Sequence, residues 1–87
     1  MTLRIERSLI GRVTILRLIG RIRSENLTEL KSQIGARKRG ATLDLEGVTL
    51  VDLEVVRFLA ACEEVGIKIV GCPPYIQEWI RREQGGK

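Results

Sequence analysis

Few side chains in this chain of 87 residues are equipped for chemistry. Histidine is absent, so no imidazole is present to serve as a general base or a metal ligand. The carboxylates best placed to cooperate are Asp44 and Asp52, at either end of an expected short loop. Two such groups act as acid and base only in a cleft that pushes their pKa values apart, and turn and helix-cap roles explain both more simply. Walker-type GxxxxGK[ST], GxGxxG and GxSxG patterns are all missing. Cys62 and Cys72 have neither CxxC nor metal-ligand spacing, and a zinc site built on them would lack two ligands. They read as reduced, apolar packing residues. The expectation is a protein with no catalytic residues, no metal site and no cofactor.

Charge gives a second lead. Lys and Arg total 15 against 11 Asp and Glu, for a net charge of +4 and a pI near 9.6, which raises nucleic acid or an anionic membrane as partners. The cations are scattered, however, and only Arg37-Lys38-Arg39 forms a tight run, which reads as a solvated helix end favoured by the helix dipole. A nucleic-acid-binding domain using Arg37, Lys38, Arg39, Arg21 and Arg23 is the alternative. An aromatic content of 3% leaves a single strand few rings to stack on, so nucleic acid is the less favoured partner. No apolar run reaches the ~20 residues that span a bilayer, and the N-terminus lacks a signal-peptide core. A cytoplasmic location without membrane insertion is expected.

These residues are positioned by the stretch ATLDLEGVTLVDLEVVRFL, Ala41 to Leu59. Ala41 to Leu45 has the apolar character of a strand. Gly47 is read as a break, followed by a loop. From Asp52 onward, apolar residues recur at helical spacing. Asp52 is a sound N-cap: its carboxylate can accept from the free amides of the first turn and sits at the positive end of the helix dipole. Loops at the carboxyl ends of strands are where open α/β sheets keep their binding surfaces, so the expected working surface is Gly47 to Val56.

Upstream, Thr2 to Ser8 alternates as a half-buried edge strand, with Leu3, Ile5 and Arg7 on one side. Leu9 to Arg12 is expected to turn, and Val13 to Ile19 to form the second strand of an antiparallel hairpin. Its imperfect alternation, with Val13 and Ile15 on one face and Leu16 and Leu18 on the other, suggests either a bulge near Ile15 or a strand covered on both sides. A central strand covered on both sides at its middle is the favoured reading. Asn26 and Glu29 have capping-box spacing, with Ser24 as a second possible cap, ahead of a helix to about Arg37 that buries Leu27, Leu30 and Ile34. The next helix spans about Leu53 to Val65 and stops at Gly66; Ile67 to Val70 is a short strand. Pro74 opens a last helix with Ile76, Trp79 and Ile80 inward. Trp79 is expected to anchor the core.

The reading is an α/β single domain over residues 1–83 with a loose tail at 84–87. Its order is β-β-α-β-α-β-α: an initial antiparallel hairpin, then parallel strands joined through right-handed helical crossovers into one mixed sheet.

The run Leu43-Asp44-Leu45-Glu46-Gly47-Val48-Thr49-Leu50-Val51-Asp52 is similar to the central signature of the STAS family, the sulfate transporter and anti-sigma factor antagonist domains. There a strand ending in Asp-Leu and a Gly-Val-Thr-like turn lead to an Asp-Ser-Ser-Gly-Leu helix start. The segment Val13 to Leu30 also resembles the early part of such a domain, with Gly20 where the family tends to place a glycine. The second half of the signature departs, since Leu53, Glu54 and Val55 stand where the family has Ser, Ser or Thr, and Gly. In phosphorylation-controlled antagonists the modified serine directly follows the Asp, so Leu53 occupies its place and cannot be phosphorylated. The resemblance implies a bacterial, non-catalytic protein-interaction regulator, not switched at the usual site. Its partner would be an anti-sigma factor kinase or a membrane-transport ATPase. The contact residues it implies are Val48, Thr49, Asp52, Leu53, Glu54 and Arg57. Leu53 either meets a partner or folds back onto Leu50.

Overall fold

Two apolar segments separated by Gly11-Arg12 pair into a hairpin in the computed structural model of the chain, which describes residues 3–34 and 41–85. Strand β1 is Leu3–Ile10 and β2 is Val13–Ile22, joined antiparallel from Leu3↔Gly20 to Ile10↔Val13. The turn is therefore two residues long. Leu9 and Ile10, expected in the turn, belong to β1, because Gly11 takes a φ of 61° that lets a tight two-residue turn close the hairpin.

A 3-10 turn at Ser24–Asn26 leads into α1 (Leu27–Ile34), followed by β3 (Ala41–Val51), α2 (Leu53–Glu64), β4 (Lys68–Val70) and α3 (Pro74–Gly85). The order is β-β-α-β-α-β-α. The sheet runs β1-β2-β3-β4, with the first pair antiparallel and the other two parallel. The box expected between Asn26 and Glu29 is not formed: the cap position is Arg23, three residues earlier, and Asn26 takes the place expected of Glu29, its side chain accepting from the Arg23 amide at 2.9 Å. The end expected for α1 near Arg37 lies outside the described residues. Helix α3 runs to Gly85, into the segment expected as a tail, and Gln84 Nε2 donates to Glu63 Oε1 of α2 at 2.9 Å.

Each parallel crossover steps the same way across the sheet, from β2 to β3 and from β3 to β4. Right-handed crossovers stepping one way place their helices on one face, which overturns the expectation that β2 is covered on both sides. Thr14, Leu16, Leu18 and Ile22 point into the core, whereas Val13, Arg17 and Arg21 on the opposite face are exposed. The core is one cluster in which Leu16, Leu18 and Leu43 of the sheet meet Leu30, Leu59 and Ile76 of the three helices. Trp79 packs against this cluster, half-buried. Among the described residues no helix is long and apolar enough to cross a membrane.

The break expected at Gly47 is absent: β3 continues for 11 residues, to Val51. Between Arg17↔Asp44 and Ile19↔Gly47, and again between Gly20↔Val48 and Arg21↔Leu50, β3 advances one residue more than β2. These are the irregularities of the sheet, and they lie on β3 rather than near Ile15. Each slips the alternation by one residue, so the inward positions change from Leu43 and Leu45 to Val48 and then Val51. A regular period of two therefore does not describe this strand. Gly47 is needed for closeness rather than for a turn, since a Cβ there would stand 3.1 Å from Ile19 Cγ1.

Candidate functional site

The second half of β3 delivers the chain to the start of α2, where most residues expected to contact a partner are found. Asp52 caps α2, its Oδ1 accepting from the Val55 amide at 3.1 Å. Its Oδ2 accepts from the amide of Ser24 at 2.8 Å, so one carboxylate holds both the α2 start and the turn before α1. The sequence marks Asp52 as a cap, but nothing local points to the link with Ser24.

Leu53 and Glu54 follow in the first turn and are exposed; Arg57 lies one turn further on. Leu53 and Arg57, four residues apart, share a helix face. Arg57 is tied down at its far end, its Nε meeting Glu83 Oε1 of α3 at 3.3 Å. Thr49 is exposed beside the second β3 irregularity, and Leu50, which follows it, is 52% exposed. Val48 differs from the rest: it is only 5% exposed and packs in the core, because the preceding irregularity turns it inward. Its side chain supports the surface from beneath.

Two exposed residues outside the expected contact set complete the neighbourhood: Tyr75, which the sequence does not single out, and Leu50, which lies within the expected working surface. The Tyr75 hydroxyl, from the first turn of α3, donates to the Thr49 carbonyl, and the residue is half exposed to solvent. Leu50 borders a groove of about 410 Å³ whose lining also includes Arg21, Arg23, Ser24 and Asp52. The site thus sets apolar Leu50, Leu53 and Tyr75 among polar groups, a composition suited to a protein contact. Proline before Tyr75 signals a helix start, but no sequence rule brings that helix to Thr49.

Asp44 and Asp52 do not come together. Extended backbone separates them by roughly 20 Å or more, and each carboxylate has local work. Asp44 Oδ1 accepts from the Glu46 amide at 3.0 Å and its Oδ2 lies 3.8 Å from Arg17 Nε. Among the described residues, no group of three or more His, Cys, Asp or Glu side chains is arranged to hold a metal ion. Cys62 is buried and Cys72 half-buried; burial, and then the neighbouring Glu63 carboxylate, push the Cys72 thiol pKa up. Of the cations considered for nucleic acid, Arg21 and Arg23 are exposed beside the groove, whereas Arg37, Lys38 and Arg39 lie outside the described residues. No family model and no curated protein matches this chain.

Proposed function

We propose that the chain is a non-catalytic, STAS-like protein-interaction module that docks a regulatory partner through the end of β3 and the first turns of α2, without a phosphorylation switch at position 53. The observation that carries this reading is Leu53, 38% exposed at the first position of a helix whose capping carboxylate is hydrogen-bonded from two sides. An apolar side chain there gains by being covered, and Leu50 and Tyr75 extend the same opportunity. Thr49, Glu54 and Arg57 form the polar surround. The partner is an anti-sigma factor kinase or a membrane-transport ATPase.

The test is affinity capture with the wild-type chain beside Leu53→Asp, which plants a charge where the family places its phosphate. A kinase or transport ATPase retained by the wild type and lost with the variant is the expected result. Equal retention by both moves the interface elsewhere, and recovery of nucleic acid alone replaces the reading with the alternative one. Incubation with an anti-sigma kinase and ATP leaves the mass of the chain unchanged; phosphate found within residues 47–56, on Thr49 for example, overturns the unswitched character.

A further inference from the structure

The sheet has two edges of unequal risk. β4 is three residues long and offers a further strand little to pair with. β1 has eight residues, no proline, and a pairing with β2 that runs without a bulge along its whole length. Its guard against a further strand is charge alone, in Arg4, Glu6 and Arg7.

The register shows which backbone groups are available. A two-residue turn is closed by a hydrogen-bonded pair, here Ile10 and Val13. Alternation then directs the amides and carbonyls of Arg4, Glu6 and Ser8 toward β2 and leaves those of Leu3, Ile5, Arg7 and Leu9 pointing away from the sheet. Arg4 and Glu6 have their side chains together on the face opposite the three described helices, where Arg4 Nη2 already reaches Glu6 Oε2 at 3.1 Å. Leu3 and Ile5 lean on the core from the other face, half-buried.

We propose that β1 pairs antiparallel with β1 of a second copy of this chain, about a two-fold axis through Ile5, so that the two sheets become one continuous sheet. With the axis at Ile5, the outward amides and carbonyls of Leu3, Ile5 and Arg7 all find partners. Arg4 lies opposite the second copy's Glu6, and Glu6 opposite its Arg4. Neighbouring registers lack this complementarity. An axis at Glu6 sets Glu6 against itself, and an axis at Arg7 sets Arg7 against itself; like charges directly opposite destabilise a strand pair. An axis at Ser8 sets Glu6 against Ile10 and Arg7 against Leu9 and so forms no ion pair between the copies, whereas the axis at Ile5 forms two and leaves Leu3 opposite Arg7. The charges that would repel an arbitrary strand therefore select this one, and the contact is isologous, as a closed dimer requires.

Sedimentation velocity over a concentration series tests the proposal on the full chain and on charge swaps at these two positions, with circular dichroism confirming that each variant is folded. The wild type is expected to show a concentration-dependent dimer. Arg4→Glu or Glu6→Arg alone turns both symmetric ion pairs into repulsions and raises the dimer dissociation constant by about tenfold or more. The double variant Arg4→Glu/Glu6→Arg restores opposite charges and brings the dimer back. A wild type that stays monomeric at high micromolar concentration overturns the proposal. So do single variants that dimerise as well as the wild type, and a double variant no better than the singles.

Discussion

The Asp52 carboxylate joins two segments that lie 28 residues apart in sequence, accepting from the Ser24 amide at 2.8 Å with one oxygen and from the Val55 amide at 3.1 Å with the other. An N-cap alone contributes about 1 kcal/mol, and a hydrogen bond to a charged group a similar or somewhat larger amount. Asp52→Ala removes both and is expected to cost about 2 kcal/mol. For a domain of this size that corresponds to a fall of roughly 8–15 °C in Tm. Asp52→Asn keeps one acceptor oxygen and is expected to lose less. A thermal melt in which Ala costs no more than an ordinary cap would show that the Ser24 bond adds nothing.

Gly71 is the glycine whose replacement should be felt most. Its φ is +65°, and a Cβ there would stand 2.8 Å from Asp44 Oδ1 and 3.2 Å from the Glu46 backbone nitrogen. Gly71→Ala adds left-handed strain of about 1 kcal/mol or more to a clash with the side chain that holds the Glu46 amide. A total of about 2–3 kcal/mol is expected by urea unfolding. Gly11, at φ +61° but with open space around it, provides the contrast: Gly11→Ala adds backbone strain without a clash and should cost about 1 kcal/mol less than Gly71→Ala.

The element order was legible in the sequence because each helix carries its own apolar stripe and each strand its own turn signals. Leu30 and Ile34, or Ile76 and Ile80, are buried as their spacing demands. What could not be read is set by partners distant in sequence. Gly47 looked like a turn because the pattern fails there, yet it fails because β3 slips against β2, and a slip is a property of two strands. The same slip hides Val48 in the core while leaving Thr49 and Leu50 outside. One-sided coverage of β2 depends likewise on the direction in which the crossovers step. At the candidate site, Asp52, Leu53, Glu54 and Arg57 were readable as a helix start, whereas Tyr75 and Ser24 arrive there only through the fold.

The raised pKa of Cys72 gives a pH-dependent test. Burial is the larger cause and the Glu63 carboxylate the second, and both disfavour the thiolate. Alkylation by iodoacetamide, followed at Cys72 by peptide mapping, should therefore rise with pH later than for an unfolded-chain thiol, which titrates near ~8.5. Glu63→Gln should move that midpoint down, but only part of the way. Because the folded value lies above the unfolded one, the neutral thiol's contribution to stability is complete below the ordinary thiol pKa. It is lost as pH rises through the raised value.

Tyr75 tests whether the end of β3 is held in place by α3. Its hydroxyl donates to the Thr49 carbonyl across 26 residues of chain, next to the irregularity that leaves Thr49 outside the regular register. Tyr75→Phe keeps the ring and removes only this bond, so the loss of global stability should be modest, about 0.5–1 kcal/mol at an exposed site. The local effect should be larger in proportion. Amides at Leu50, Val51 and Leu53 should exchange faster with solvent, while those in the second half of α3, anchored by buried Ile80, should not change. Hydrogen exchange that accelerates evenly along α3 would instead mean that the hydroxyl serves the helix. Faster exchange confined to the end of β3 would identify Tyr75 as the residue that keeps the proposed docking surface ordered before any partner arrives.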